Sequence, residues 1–172
     1  MKCFNITDGE QILEYLEFVL YYPNILKTTD HMFCRASSIT SIKFSDTFDT
    51  SQVTSMKAMF HTVDKITILN LSTFDTSQVT NMHEMFAYDT FKILDISNFS
   101  NNKNIDTTNI FKNTKQIEIC YVDNSRFFLP DILNVCFQNY IIQEDGGHII
   151  KNDSNKINLG TCDFFILTFY VI

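Results

Sequence analysis

Five cysteines, four histidines and two copies of an Asp-Thr-Ser triplet are the residues of this chain whose types could support chemistry. The cysteines, Cys3, Cys34, Cys120, Cys136 and Cys162, never fall at a CxxC spacing, so neither a zinc knuckle nor a thioredoxin-like pair is signalled. An odd number without a dense framework predicts reduced, mostly buried thiols in preference to a structural disulfide. His31, His61, His83 and His148 are scattered, and no HExxH, GxSxG or glycine-rich phosphate loop is present. Gly146-Gly147 beside His148 reads as a turn. Asp49-Thr-Ser51 and Asp75-Thr-Ser77 suggest a calcium ladder, but Ca²⁺ needs about six to eight oxygen ligands, and the next equivalent position is Ser100. The simpler expectation is that these carboxylates and hydroxyls satisfy backbone groups where the chain turns. No catalytic residue, metal ligand or cofactor site is predicted.

The elements that carry these residues are repeated. Phe48 to Phe60 aligns without a gap against Phe74 to Phe86, sharing FDTSQVT, and the anchors Phe33, Phe60, Phe86 and Phe111 recur at almost equal intervals. A near-constant period of about 20–50 residues marks a stacked-repeat architecture. Upstream, Ile66-x-x-Leu69-x-Leu71-x-x-Phe74 matches Phe91-x-x-Leu94-x-Ile96-x-x-Phe99, with Ile39-x-x-Ile42-x-Phe44 and Ile119-x-Tyr121 as further copies. Apolar residues two apart predict a short strand with one buried face. Val79, Met82, Met85 and Phe86 are spaced by three and four, which predicts a short helical turn under each strand. Stacking would then put Ile42, Leu69, Leu94 and Ile119 in one column and Phe44, Leu71, Ile96 and Tyr121 in the next. At least about three such units are needed to bury their mutual faces.

The blocks LNLSTFDTSQVTNMHEMF (69–86) and FDTSQVTSMKAMF (48–60) resemble the BspA-type leucine-rich repeat of bacterial surface proteins, a repeat also found in mollicute proteins of unknown function. The resemblance covers about residues 32–121, with a degenerate third unit that retains Leu94-Asp-Ile-Ser-Asn-Phe99. It implies an α/β fold, a short leucine-rich-repeat solenoid with a parallel β-sheet and short helical turns. It also implies adhesion or protein recognition at a cell surface or after secretion, and no reaction.

The chain divides accordingly into residues 1–31, a helical N-terminal cap; residues 32–121, about three and a half repeats; and residues 122–172, a flanking or capping segment. Asp8 is placed to cap a helix from about Glu10 to Tyr22, ended by Pro23. Pro130 to Ile142 reads as a second helix, Glu144 to Gly147 as a turn, and His148–Lys151 with Lys156–Leu159 as a hairpin. The final Phe164 to Ile172 is too short to span a bilayer as a helix and is expected to be a buried strand. A net charge of −7 and a pI near 4.9 argue against nucleic acid and against anionic membrane as partners. The first residues contain no signal peptide or lipobox, which leaves a cytoplasmic location as the alternative to surface display.

The expected binding site is the open face of the strands. Its outward ladders are Ser41, Ile68, Ile93 and Glu118, and beside them Lys43, Asn70, Asp95 and Cys120. Exposed isoleucines rimmed by polar groups are the usual anatomy of a protein-binding patch. A monomeric, non-enzymatic interaction module follows. Two other readings stand beside it. One is an enzyme whose acids and bases come from Asp131, Glu144, Asp145, His148, Asp153 and Asp163; the other is a fragment of a longer repeat surface protein.

Overall fold

The computed structural model describes residues 15–18, 26–45, 47–100, 104–123, 132–136, 141–143 and 148–150. Short strands dominate: β1 (Tyr15–Phe18), β2 (Ser41–Phe44), β3 (Ile68–Asn70), β4 (Ile93–Asp95), β5 (Ile119–Tyr121), β6 (Ile141–Gln143) and β7 (His148–Ile150). The helix α1 (Ile132–Val135) spans a single turn. β3, β4, β5 and β6 pair in parallel, and β7 closes that sheet antiparallel to β6. β1 and β2 form a separate parallel pair.

The strands alternate as their sequences demand. In β2 the burial runs exposed, buried, exposed, buried, and Leu69 and Leu94 are the buried centres of β3 and β4. Leu69 pairs with Leu94, and Leu94 with Cys120, so the inner column is Ile42, Leu69, Leu94, Cys120. The next is Phe44, Leu71, Ile96, Val122. The expected fourth members, Ile119 and Tyr121, are therefore off by one residue. Residues 119–122 are apolar on both alternations, and a one-residue slip exchanges the two faces of a strand. The tertiary register chose Cys120 and Val122.

The segment after each FDTSQVT-like block is not helical. In each of four units two β-turns follow one another: Met59 N–H bonds Met56 C=O at 3.2 Å and His61 N–H bonds Ala58 C=O at 3.3 Å, and the same pattern recurs at 29–34, 82–87 and 107–112. His31, Ala58, Glu84 and Asn109 occupy equivalent positions with φ between 50° and 58°; Arg35, Thr62, Tyr88 and Asn113 do so with φ between 54° and 64°. A left-handed residue every fourth position prevents an α-helix from propagating. The spacing of three and four that suggested a helix is produced equally by turns that each advance two residues. The N–H groups thereby released point along the stack. Met56, Ala58, Phe60 and Thr62 donate to the carbonyls of Asn81, His83, Met85 and Ala87, and Met82, Glu84, Phe86 and Tyr88 repeat this onto the following unit.

Inside this double ladder the aromatic rings stack. Phe33, Phe60, Phe86 and Phe111 form one pile with centroid separations of 5.3, 6.0 and 5.3 Å. Phe48 lies 5.5 Å from Phe74, and Phe44 reaches Phe74 at 4.8 Å, so the core is continuous even where β2 and β3 are not hydrogen-bonded. Each such ring or aliphatic side chain contributes roughly 1.5–3 kcal/mol on burial.

The Asp-Thr-Ser triplets act as turn residues, as expected. Asp49 Oδ1 accepts Ser51 N–H at 2.8 Å and Asp75 Oδ1 accepts Ser77 N–H at 2.9 Å. The bonds from Ser51 hold the Asp49 carboxyl below the usual carboxylate range. The buried threonines reach across units: Thr50 Oγ1 accepts Asp75 N–H at 2.8 Å and donates to Asp75 C=O at 3.0 Å, and Thr76 does the same to Ser100 at 2.8 and 3.3 Å. Replacing Thr76 by valine keeps the shape but leaves the Ser100 N–H without its acceptor. The expected loss is about 1–3 kcal/mol in urea unfolding. A loss indistinguishable from that of Thr80→Val, whose residue is exposed, would show that the bridge is not needed.

Further expectations change. Residues 15–18 are a strand in register with β2 (Leu16 opposite Ile42, Phe18 opposite Phe44), not part of a helix. An open strand edge offers main-chain partners that a helix cannot use, and the Tyr-Leu-Glu-Phe segment also fits the strand period; residues 1–14 and 19–25 lie outside the described residues. Of the helix expected over Pro130–Ile142, only Ile132–Val135 is helical among the described residues, and Ile141 onward pairs with β5 instead. His148–Ile150 pairs with β6; Lys156–Leu159, its expected hairpin partner, and Phe164–Ile172 lie outside the described residues. Finally, Cys120 and Cys136 are joined in a disulfide with Cα atoms 6.0 Å apart, where reduced thiols were expected. The two cysteines are brought together by the fold: Ile117 bridges Cys136 in parallel, and α1 turns Cys136 under β5.

Candidate functional site: the outer face of the strands

The register of β3, β4 and β5 sets Ile68, Ile93 and Ile119 side by side, with neighbouring rungs about 4.8 Å apart. Ile68 is 53% exposed, against complete burial of its neighbour Leu69, and Ile93 and Ile119 are half-buried. The second ladder is Asn70, Asp95 and Tyr121. Asn70 Oδ1 accepts the backbone and hydroxyl of Ser72 at 2.9 and 2.7 Å, and Asp95 Oδ1 accepts those of Ser97 at 3.0 and 2.7 Å. Both side chains are thus held by the turns that follow their strands. Partial burial, and then the Asp95 charge, raise the proton affinity of the Tyr121 phenol.

Of the eight residues expected on the two outward ladders, Ile68, Asn70, Ile93 and Asp95 are brought together on adjacent strands. Ser41 and Lys43 lie on β2, which pairs with β1 and not with β3. The connection from Ile42 to Leu69 is two residues longer than that from Leu69 to Leu94, and β2 lies near β3 without a strand pairing between them. Glu118 is not a rung. Ile119 takes its place, and Glu118 instead lies 3.6 Å from Lys92 in an exposed ion pair worth no more than about 1 kcal/mol. Cys120 leaves the outer face altogether for the core.

Two groupings were not legible as sites in the sequence. His61 and His83 both approach Glu84, their Nε2 atoms 3.9 and 3.8 Å from the same Oε2, while His61 Nδ1 meets Thr62 Oγ1 at 2.8 Å. Their distance along the chain hides the contact; the period brings residue 57 beside 83, and the turn carries His61 back towards it. The second is Asp89, fully buried at a position that Ala36, Val63 and Thr114 occupy in the other units. Carrying the alignment a few positions past Phe60 and Phe86 would have exposed this Val-to-Asp exchange. Of the acids and bases expected in the tail, His148 begins β7, and Asp131, Glu144, Asp145, Asp153 and Asp163 lie outside the described residues. Among the described residues no three His, Cys, Asp or Glu side chains are grouped to hold a metal, and no helix is long and apolar enough to cross a membrane.

The stacked units coincide with a family match. A family model described as Mycoplasma protein of unknown function, DUF285, matches residues 24–124. The chain belongs to this family. The match begins just before the first turn segment and ends just after β5. No curated protein and no solved structure matches the chain.

Proposed function

We propose that this chain is a non-enzymatic protein-interaction module of leucine-rich-repeat type, a short BspA-like solenoid that binds a protein partner on its open strand face. The observation that carries the reading is the Ile68–Ile93–Ile119 rail. The core takes Leu69, Leu94 and Cys120 from these strands, which leaves Ile68 largely exposed and Ile93 and Ile119 half-buried on the opposite face. An apolar rail beside Asn70, Asp95 and the Lys92–Glu118 pair has the composition of a modest interface, with an apolar centre and a polar rim. The net charge of −7 favours a protein over nucleic acid. An adhesive role outside the reducing cytosol is supported by the Cys120–Cys136 disulfide, since such bonds persist in oxidising compartments.

The test is a double variant, Ile68→Asp with Ile93→Asp, used as bait beside the wild type in cross-linking captures from the native source. Ile93 is half-buried and the two aspartates would face each other across adjacent strands, so some loss of stability is expected and the captures are compared at a temperature where both proteins are fully folded. Capture of the protein partner is expected to fall at least tenfold. Equal capture by bait and variant, both fully folded, removes this face as the site.

A further inference from the structure

Asp89 is a carboxyl group placed where the fold asks for an apolar side chain. Its column runs Ala36, Val63, Asp89, Thr114, and Asp89 has no solvent exposure. Oδ1 accepts the Val63 N–H of the preceding unit at 2.6 Å, and the Asp89 carbonyl accepts the Lys115 N–H after the following turn segment at 2.9 Å. One residue therefore ties three successive units together. Oδ2 is buried with no hydrogen-bond partner. A carboxylate in that position would leave a charged oxygen with neither water nor donor, which costs far more than a neutral polar group. Because Oδ1 already accepts from Val63, the proton belongs on Oδ2.

We propose that Asp89 is a proton-dependent latch: its neutral form joins the second and third units, and loss of the proton loosens the joint formed by residues 60–65 and 86–92. The charged groups on the enclosing segments do not supply a counter-ion. Asp64, whose carbonyl accepts Thr90 Oγ1 at 2.6 Å, adds like charge, while Lys65, Lys112 and Lys115 turn their side chains to solvent. Glu84 is engaged with His61 and His83, and Tyr88 turns outward onto His61 at 5.2 Å. Burial first, and the Asp64 charge to a lesser degree, push the Asp89 carboxyl up to about 9 from its ordinary 3.8.

The sign of the effect follows. Between the unfolded and folded values the native state holds a proton that the unfolded state has released, so stability declines as pH rises through that window. It is flat below the window, where both states are protonated, and flat above it, where both are ionised. The experiment is urea unfolding of the wild type and D89N from pH 5 to 9, with amide exchange at Val63 followed in parallel and corrected for intrinsic rates. Asparagine keeps the acceptor for Val63 and removes the ionisation. The expected result is a ratio of folding constants, D89N over wild type, that grows with pH by up to tenfold per unit, together with Val63 exchange that accelerates with pH only in the wild type. Parallel pH profiles for the two proteins overturn the latch. Should D89N fail to fold, D89V, which copies Val63, is read in the same way: a D89V-to-wild-type ratio that grows with pH supports the latch, and a constant ratio ends it.

Discussion

Phe86→Ala is expected to remove about 3–5 kcal/mol of unfolding free energy. Phe86 has no solvent exposure, lies between Phe60 at 6.0 Å and Phe111 at 5.3 Å in near-parallel stacks, and meets Phe91 edge-on at 6.1 Å. Truncation opens a cavity in the middle of the pile, so both unit-to-unit interfaces lose their central contact. In a stack where each unit touches only its neighbours, stability is a sum of unit and interface contributions. Natural domains hold only about 5–15 kcal/mol in total. The variant should therefore unfold at much lower urea, with a broadened transition if the first two units outlast the rest. Circular dichroism across a urea series checks this. A loss below about 1 kcal/mol would mean that the rings do not form one connected core.

Breaking the Cys120–Cys136 bond is the second large effect. The bridge joins positions 16 apart in sequence, and for a loop of that size chain-entropy arguments give about 3 kcal/mol. Cys136→Ala should lower stability by roughly that amount. Addition of a reductant should bring the wild type down to the level of the variant and leave the variant where it was. The disulfide secures β5, at the inner column, to the segment that includes α1, so the loss should concentrate at the β5 end of the stack. Hydrogen exchange resolved along the chain would show it. A wild type indifferent to reductant would mean that the bond does not hold that end.

The parts of the fold that were legible in the sequence share a cause. FDTSQVT, the Phe anchors and the Leu69/Leu94 pair recur at nearly constant separation, and a stacked array converts equal separation directly into contact. Val79, Met82, Met85 and Phe86 were assigned correctly to the core, but the conformation that buries them was not. Helical turns and consecutive β-turns place the same residues inward, and they differ in the sign of φ at Ala58, Glu84 and Asn109 and again four residues on, at Thr62, Tyr88 and Asn113. None of these is glycine, so composition carried no warning. The outer strand face shows the same division. Ile68 and Ile93 were identified because their strands contain a clear buried partner. Glu118 was misplaced because residues 119–122 offer apolar side chains on both faces.

The sequence by itself determined the period, the identity of the core columns through the third unit, and the use of Asp and Thr side chains at the turns. These depend on chemistry repeated within one segment and its copies. The tertiary structure decided the register of β5, the pairing of Cys120 with Cys136, the gathering of His61 and His83 around Glu84, and the burial of Asp89. Each of those depends on which residue of one unit lies over which residue of the next. Because the step between units is not constant along the chain, that offset stays open until the units are packed.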